Sequence, residues 1–175
     1  MKAKQKVIII TGAESTGKSV LTRQLATHFR VPFISEYARS YIEQLGRKYE
    51  YSDIEHIARI QVEQLAELKQ QDHPWIFCDT WLIITKIWFE EVFNKVPSWI
   101  DIEIKKTKID LFLVCDTNLP WMPDSVRENG GERRIFLQNR YLKEIEDYRF
   151  RYEIISDINE ARFLNALNAL KIFNI

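Results

Sequence analysis

The stretch IIITGAESTGKSV, residues 8–20, constrains this chain more than any other. A β-branched run, Lys6 to Thr11, leads into a polar loop bracketed by Gly12 and Gly17. Gly12-Ala13-Glu14-Ser15-Thr16-Gly17-Lys18-Ser19 fits the pattern G-x-x-x-x-G-K-[ST] at every fixed position. The glycines permit backbone conformations that are costly for other residues, so successive amide N–H groups can turn inward toward phosphate oxygens. Apolar positions Val20, Leu21, Leu25 and Phe29 then mark an amphipathic helix. Its unpaired N-terminal amides and macrodipole favour an anion. The pattern assigns residues 12–20 to binding the phosphates of a nucleotide, with Lys18 bridging the β- and γ-phosphates and the Ser19 hydroxyl on Mg²⁺. No G-x-G-x-x-G occurs, which removes the dinucleotide fingerprint.

Further along, VPFIS (31–35), WIFCD (75–79), DLFLVCD (110–116) and YEIIS (152–156) are short apolar runs separated by helical patterns. Continuous apolar strands are covered on both faces, so the expected fold is α/β: a three-layer P-loop NTPase with a mostly parallel five-stranded sheet wrapped by helices. Ligands bind beyond the carboxyl ends of such strands. Those ends carry the Gly12 loop, Ser35-Glu36, Asp79, Asp116 and Ser156-Asp157. Capping patterns place helix starts at Ser52 with Glu55, Ser98 with Asp101, and Asp157 with Glu160.

The 175 residues are read as a single domain, 1–175, with a mobile polar lid over about 117–134. A formal net charge of zero provides no field for nucleic acid or a membrane surface. No run reaches the roughly 20 apolar residues of a membrane helix, and the N-terminal apolar run is too short for a signal peptide. Cys78 and Cys115 sit in strand-like runs and read as buried free thiols, and the three histidines lie far from both. A cytoplasmic protein follows, with a small-molecule acceptor as partner and a homo-oligomer left open.

A GTPase should carry an Asn-Lys-x-Asp guanine reader, but NKVP at 94–97 lacks the aspartate. A motor or remodelling ATPase usually needs a larger module. A small-molecule kinase needs the loop, a magnesium carboxylate, an acceptor pocket and a closing lid, and each has a candidate here. Asp79 at the end of its strand can reach the Mg²⁺ shell beside Ser19, or cap the following helix. Glu36, just past the second strand, is the candidate general base, with Asp79 its rival and a first-turn helix glutamate the plainer alternative. Arg127, Arg133 and Arg134 are candidates to offset transition-state charge. Of the aromatics near strand ends, Tyr37, Tyr41, Trp81, Trp88, Trp99 and Trp121, the best placed to stack on an acceptor ring are Tyr37 and Trp81, then Trp121, although core packing accounts for most aromatics.

GAESTGKS, EYAR after strand two, FCDT at strand three and PWMPDSVR in the lid, spanning about Lys6 to Arg134, together resemble the nicotinamide riboside kinase domain of NadR-type NAD-salvage proteins. The resemblance implies nucleoside-kinase strand order and transfer of a phosphoryl group from ATP to the 5′-hydroxyl of nicotinamide riboside. It places Glu36 and Tyr37 in the acceptor region, Asp79 at the metal and catalytic position, and Arg127 in the lid. Two departures accompany it. The chain begins at the first strand, where such proteins often carry a preceding adenylyltransferase domain, so the expected product is the mononucleotide. The lid also reads MPDSVR, where an Asp-Gly pair is expected before the arginine.

Overall fold

The computed structural model describes residues 5–174. The first four residues, part of the stretch read for a leader, and Ile175 lie outside it. Five strands form one parallel sheet in the order β2-β3-β1-β4-β5. They are β1 (Lys6–Thr11), β2 (Phe33–Ile34), β3 (Trp75–Asp79), β4 (Leu111–Cys115) and β5 (Tyr152–Ile155). Seven helices connect and cover them among the described residues: α1 (Lys18–Phe29), α2 (Tyr37–Gln44), α3 (Tyr51–Gln70), α4 (Leu82–Phe93), α5 (Ser98–Lys106), α6 (Gly131–Asp147) and α7 (Asn159–Ile172).

The pleat divides the apolar runs between two cores. Val7, Ile9, Ile76, Cys78, Phe112 and Val114 face α3, α4, α5 and α6. Their neighbours Ile8, Ile10, Phe77, Leu111 and Leu113 face α1 and α7. Three layers follow because each central strand has apolar residues on both faces. Both cysteines are free and buried, and burial pushes the Cys78 thiol up to about 12 and the Cys115 thiol to about 11.

The strands lie where the sequence places them, but the helix starts differ. Helix α3 begins at Tyr51 with a capping box of Glu50 and Asp53, not Ser52 and Glu55. The Asp53 carboxylate accepts the Glu50 backbone N–H at 2.7 Å and is also gripped by Arg47. Glu55 instead takes Arg59 and the Trp99 indole N–H, at 2.7 and 3.0 Å. Pro97 rather than Ser98 precedes α5, and Asp101 accepts from Lys105 and Tyr148. Ile158 precedes α7, and the Asp157 side chain accepts from Asn165 at 2.8 Å. The irregular segment ends at 130, so Arg133 and Arg134 stand on the first turn of α6. No described helix is long and apolar enough to cross a membrane.

Candidate functional site

The carboxyl ends of β1, β2 and β3 open onto a cavity of about 360 Å³. Every residue of 12–20 except Ala13 lines it. Gly12 has φ of 136°, and a Cβ there would stand 2.6 Å from the Cys115 carbonyl oxygen, so no other residue fits the close crossing of β1 and β4. Gly17, with φ of 76°, turns the loop into α1. Inside the loop, Thr16 Oγ1 and Lys18 Nζ both donate to the Ala13 carbonyl, at 2.8 and 2.9 Å. The Ala13 N–H donates to Gln138 Oε1 at 2.7 Å, and Gln138 Nε2 donates to Cys115 O at 3.0 Å. Ala13 therefore faces α6, not the cavity.

Two buried guanidiniums brace the loop from behind. Arg134 Nε and Nη2 donate to the carbonyls of Glu14 and Ser15 at 2.8 and 2.9 Å, and its Nη1 donates to Leu119 O at 2.8 Å. Arg162 donates to Thr16 O, and through Nε to Asp157 O at 2.8 Å. Each planar fork satisfies several orphan carbonyls at once, which a lysine cannot do. Arg134 is thus committed to the loop backbone. Arg162 left no local signal in the sequence, because its partners lie in three separate segments.

Glu36, at the N-cap of α2, lines the cavity. Asp79 does not; it is only 3% exposed and borders a small adjoining space with Gln64 and Trp81. Asp79 Oδ1 is buried without a hydrogen-bond partner. Burial foremost, with the nearby Glu36 charge, pushes the Asp79 carboxyl up to about 6, against the pull of Lys18 and a hydrogen bond from Ser19. An orphaned carboxylate oxygen beside the Ser19 hydroxyl is a donor set suited to a hard divalent cation. Among the described residues no group of three or more His, Cys, Asp or Glu is placed to hold a metal, so phosphate oxygens and water would complete such a shell. Thr80 follows at φ of 65°, an unusual conformation for a β-branched residue, and its N–H donates to Ile10 O at 2.8 Å. That turn directs Trp81 into the core, where it is 2% exposed.

The other two foremost aromatic candidates also lie off the cavity. The Tyr37 hydroxyl bonds His56 Nε2 at 2.9 Å and lines only the small adjoining space. Trp121 packs its ring on Gly130 and donates to Glu14 Oε2 at 3.1 Å. Of the six aromatics read as candidates, Trp88 lines the cavity, where it meets Tyr49 with ring centroids 4.9 Å apart at 78°. Ile84 and Trp88 are four residues apart on α4, so both reach the cavity from one helix face. Arg39, from EYAR, and Glu128 also line the cavity. The spacing of Ile84 and Trp88 was legible in the sequence. The approach of Tyr49 from another segment was not.

The segment 116–130 contributes residues 125–129 to the cavity lining and is fastened to the phosphate loop. Glu14, a variable position of the loop motif, accepts from the backbone N–H groups of Glu128 and Asn129, at 3.2 and 3.0 Å. Ser15 Oγ accepts the Met122 N–H at 3.0 Å. Arg127 lines the cavity and donates through Nη1 to Met122 O at 2.7 Å. Arg133 also lines it, paired with Glu91 at 2.8 Å.

Comparison with known proteins agrees with this architecture. The chain is 25% identical over 173 residues to the trifunctional NAD biosynthesis/regulator proteins NadR of Salmonella typhimurium and Escherichia coli, covering 95% of this chain but only 42% of theirs. Among solved structures, a NadR protein in complex with NR superposes with a TM-score of 0.79 at 23% identity, over 97% of this chain and 49% of that one. Thymidylate kinase from Ehrlichia chaffeensis has the same fold, with a TM-score of 0.68 at 14% identity over 95% and 98% of the two chains. The sheet, the loop and the helices on both faces are a P-loop kinase fold, as those likenesses require. The AAA_28 profile, described as an AAA domain, matches residues 7–162, and the chain belongs to that family.

Proposed function

We propose that this chain is an ATP-dependent kinase that phosphorylates the 5′-hydroxyl of a nucleoside-like alcohol, with nicotinamide riboside as acceptor and nicotinamide mononucleotide as product. One observation carries the reading. A single cavity is lined by the phosphate loop, by Glu36, by the ring pair of Tyr49 and Trp88, and by Glu128. The Tyr49 hydroxyl donates to Glu128 Oε2 at 3.4 Å, which puts a carboxylate at the edge of the aromatic pair. Aromatic faces and a carboxylate together suit a flat cationic ring such as a pyridinium. The NadR relatives and the NadR structure with NR support the same acceptor.

Loop amides and Lys18 hold the phosphate tail of ATP. Ser19 and Asp79 would hold Mg²⁺, which supplies charge neutralisation across the β- and γ-phosphates. Glu36 takes the proton of the acceptor hydroxyl as that oxygen bonds the γ-phosphorus and the bond to the ADP oxygen breaks. Glu36 is preferred to Asp79 as base because it faces the cavity, whereas Asp79 is enclosed behind it. Arg127 lies over the cavity, where it can offset equatorial charge on the transferring group.

ADP release measured with nicotinamide riboside, uridine, cytidine and deoxynucleosides tests the reading. Nicotinamide riboside should raise turnover well above hydrolysis by water, and Glu36→Gln should slow the reaction with little loss of ATP binding. A rate unchanged by every acceptor would favour a nucleotide-binding regulatory ATPase instead. Stimulation by another nucleoside alone would retain the kinase and replace the acceptor.

A further inference from the structure

One carboxylate joins the two sides of the cavity. Asp124 Oδ2 accepts from Arg39 Nη2 of α2 at 2.8 Å and lies 3.2 Å from Arg127 Nε. Its other oxygen, Oδ1, accepts the backbone N–H groups of Val126 and Arg127, each at 3.0 Å. Those two bonds form the tight turn that carries Arg127, and the Arg127 Nη1 contact to Met122 O fixes the guanidinium from its far side. Both arginines line the cavity into which the phosphate loop opens. Arg39 has a second carboxylate partner, Glu43, one helical turn away on α2 and 3.1 Å from its Nε. Without Asp124, that surface glutamate is the neighbour left to hold it.

Resting on the kinase reading above, we propose that Asp124 is a positioning residue, whose carboxylate yokes Arg39 of the acceptor-side helix to Arg127 of the segment 116–130. The segment then closes with both guanidiniums already turned toward the transferring phosphate. Long arginine side chains lose substantial rotamer freedom when ordered, and a shared carboxylate meets that cost before substrate arrives. The arrangement also ties closure to α2, the helix that Glu36 caps. An open segment would admit water to the phosphate, and a closed one excludes it. Asp124 remains an anion in this setting. Burial works to raise its pKa, but the Val126 N–H, Arg39 and the Arg127 N–H outweigh burial and bring it down to about 2.

Asp124→Asn is the informative change, because it retains an oxygen for the two backbone bonds and removes the charge that the arginines share. With magnesium and a non-hydrolysable ATP analogue bound, amide exchange in residues 120–130 should be about tenfold faster than in the native chain, with exchange in the β-sheet unchanged. Arg39→Met, which leaves the segment's own sequence intact, should produce the same acceleration. With an active acceptor, kcat should fall about tenfold while KM for ATP moves less than about twofold, and hydrolysis by water should rise relative to transfer. Adding Arg39→Met to Asp124→Asn should cost little more than either change alone. Native exchange rates in both variants, or fully additive losses, would overturn the proposal. If no acceptor is turned over by the native chain, the kinase reading fails by itself, and the exchange experiment still decides the role of Asp124.

Discussion

Glu14 and Asn129 bond to each other twice: Glu14 Oε1 accepts from Asn129 Nδ2 at 2.8 Å, and Glu14 Oε2 accepts the Asn129 backbone N–H at 3.0 Å. A side chain at a variable position of the phosphate loop thus fastens a segment that lines the cavity. The indole of Trp121 and the Glu128 N–H donate to the same carboxylate. Glu14→Ala should free that segment, raising the rate of limited proteolysis within 117–130 about tenfold and weakening MgATP binding severalfold. Cleavage at the native rate would show that Ser15 and Arg134 suffice to hold it.

On the proposed kinase reading, Asp79 would serve the chemistry at the expense of stability. Its Oδ1 is buried without a partner, and the neighbouring Glu36 charge adds to the cost. Asp79→Asn should abolish turnover, yet raise the melting temperature of the nucleotide-free protein by about 3–6 °C, equivalent to about 1–2 kcal/mol. A scanning calorimeter and the ADP assay measure the two effects separately. A lowered melting temperature would mean that the carboxylate is a structural group.

Arg162 tests the opposite case, a buried charge with a structural role at the site. Its guanidinium serves Thr16 O, Asp157 O, Asp116 O and Asn118 Oδ1 while only 5% exposed. Arg162→Met leaves those acceptors without their donor and should cost about 2–4 kcal/mol, read in urea unfolding. ATP affinity should fall with it, since Thr16 belongs to the loop. Arg162→Lys should recover little, because a point donor cannot span the same acceptors.

Acid stability should depend on Asp53. Arg47 foremost, with the Glu50 N–H and Tyr41 and against a smaller effect of burial, holds its carboxyl well below the usual carboxylate range. A depressed folded-state pKa means that this stabilisation is complete above the unfolded-state pKa, near 4, and is lost as pH falls below it. Asp53→Asn should therefore lower stability at neutral pH by about 1 kcal/mol, the loss of a capping interaction, and flatten the decline between pH 5 and about 2. Parallel acid titrations followed by circular dichroism would show the difference. Two curves with equal acid slopes would remove Asp53 from that role.

Local pattern carried the elements and the loop. A β-branched run, two glycines at fixed spacing, a lysine and a serine specify a phosphate-binding turn, because backbone geometry over eight residues is a local matter. Apolar runs of strand length gave the parallel sheet for the same reason. Helix starts were less secure. Ser52 and Glu55 fit the capping pattern better than Glu50 and Asp53 do, yet Arg47 and Tyr41 favour the second pair by holding Asp53 in place. The foremost aromatic candidates, Tyr37, Trp81 and Trp121, diverged most from the cavity, whereas Trp88 lines it. Trp81 and Trp121 sit near candidate functional positions in sequence, yet the Thr80 turn buries one and the other is held by Glu14.

The amino-acid order alone therefore determined that this chain builds a wrapped parallel sheet with an anion-binding loop at its edge, since spacing along one segment fixes both. Tertiary structure decided what surrounds that loop. Tyr49 beside Trp88, Arg39 and Arg127 on one carboxylate, and Arg134 and Arg162 behind the loop are pairings between residues far apart in the chain. Such pairings depend on how whole helices pack and carry no local signature, because a side chain's sequence neighbours do not determine which distant group it meets.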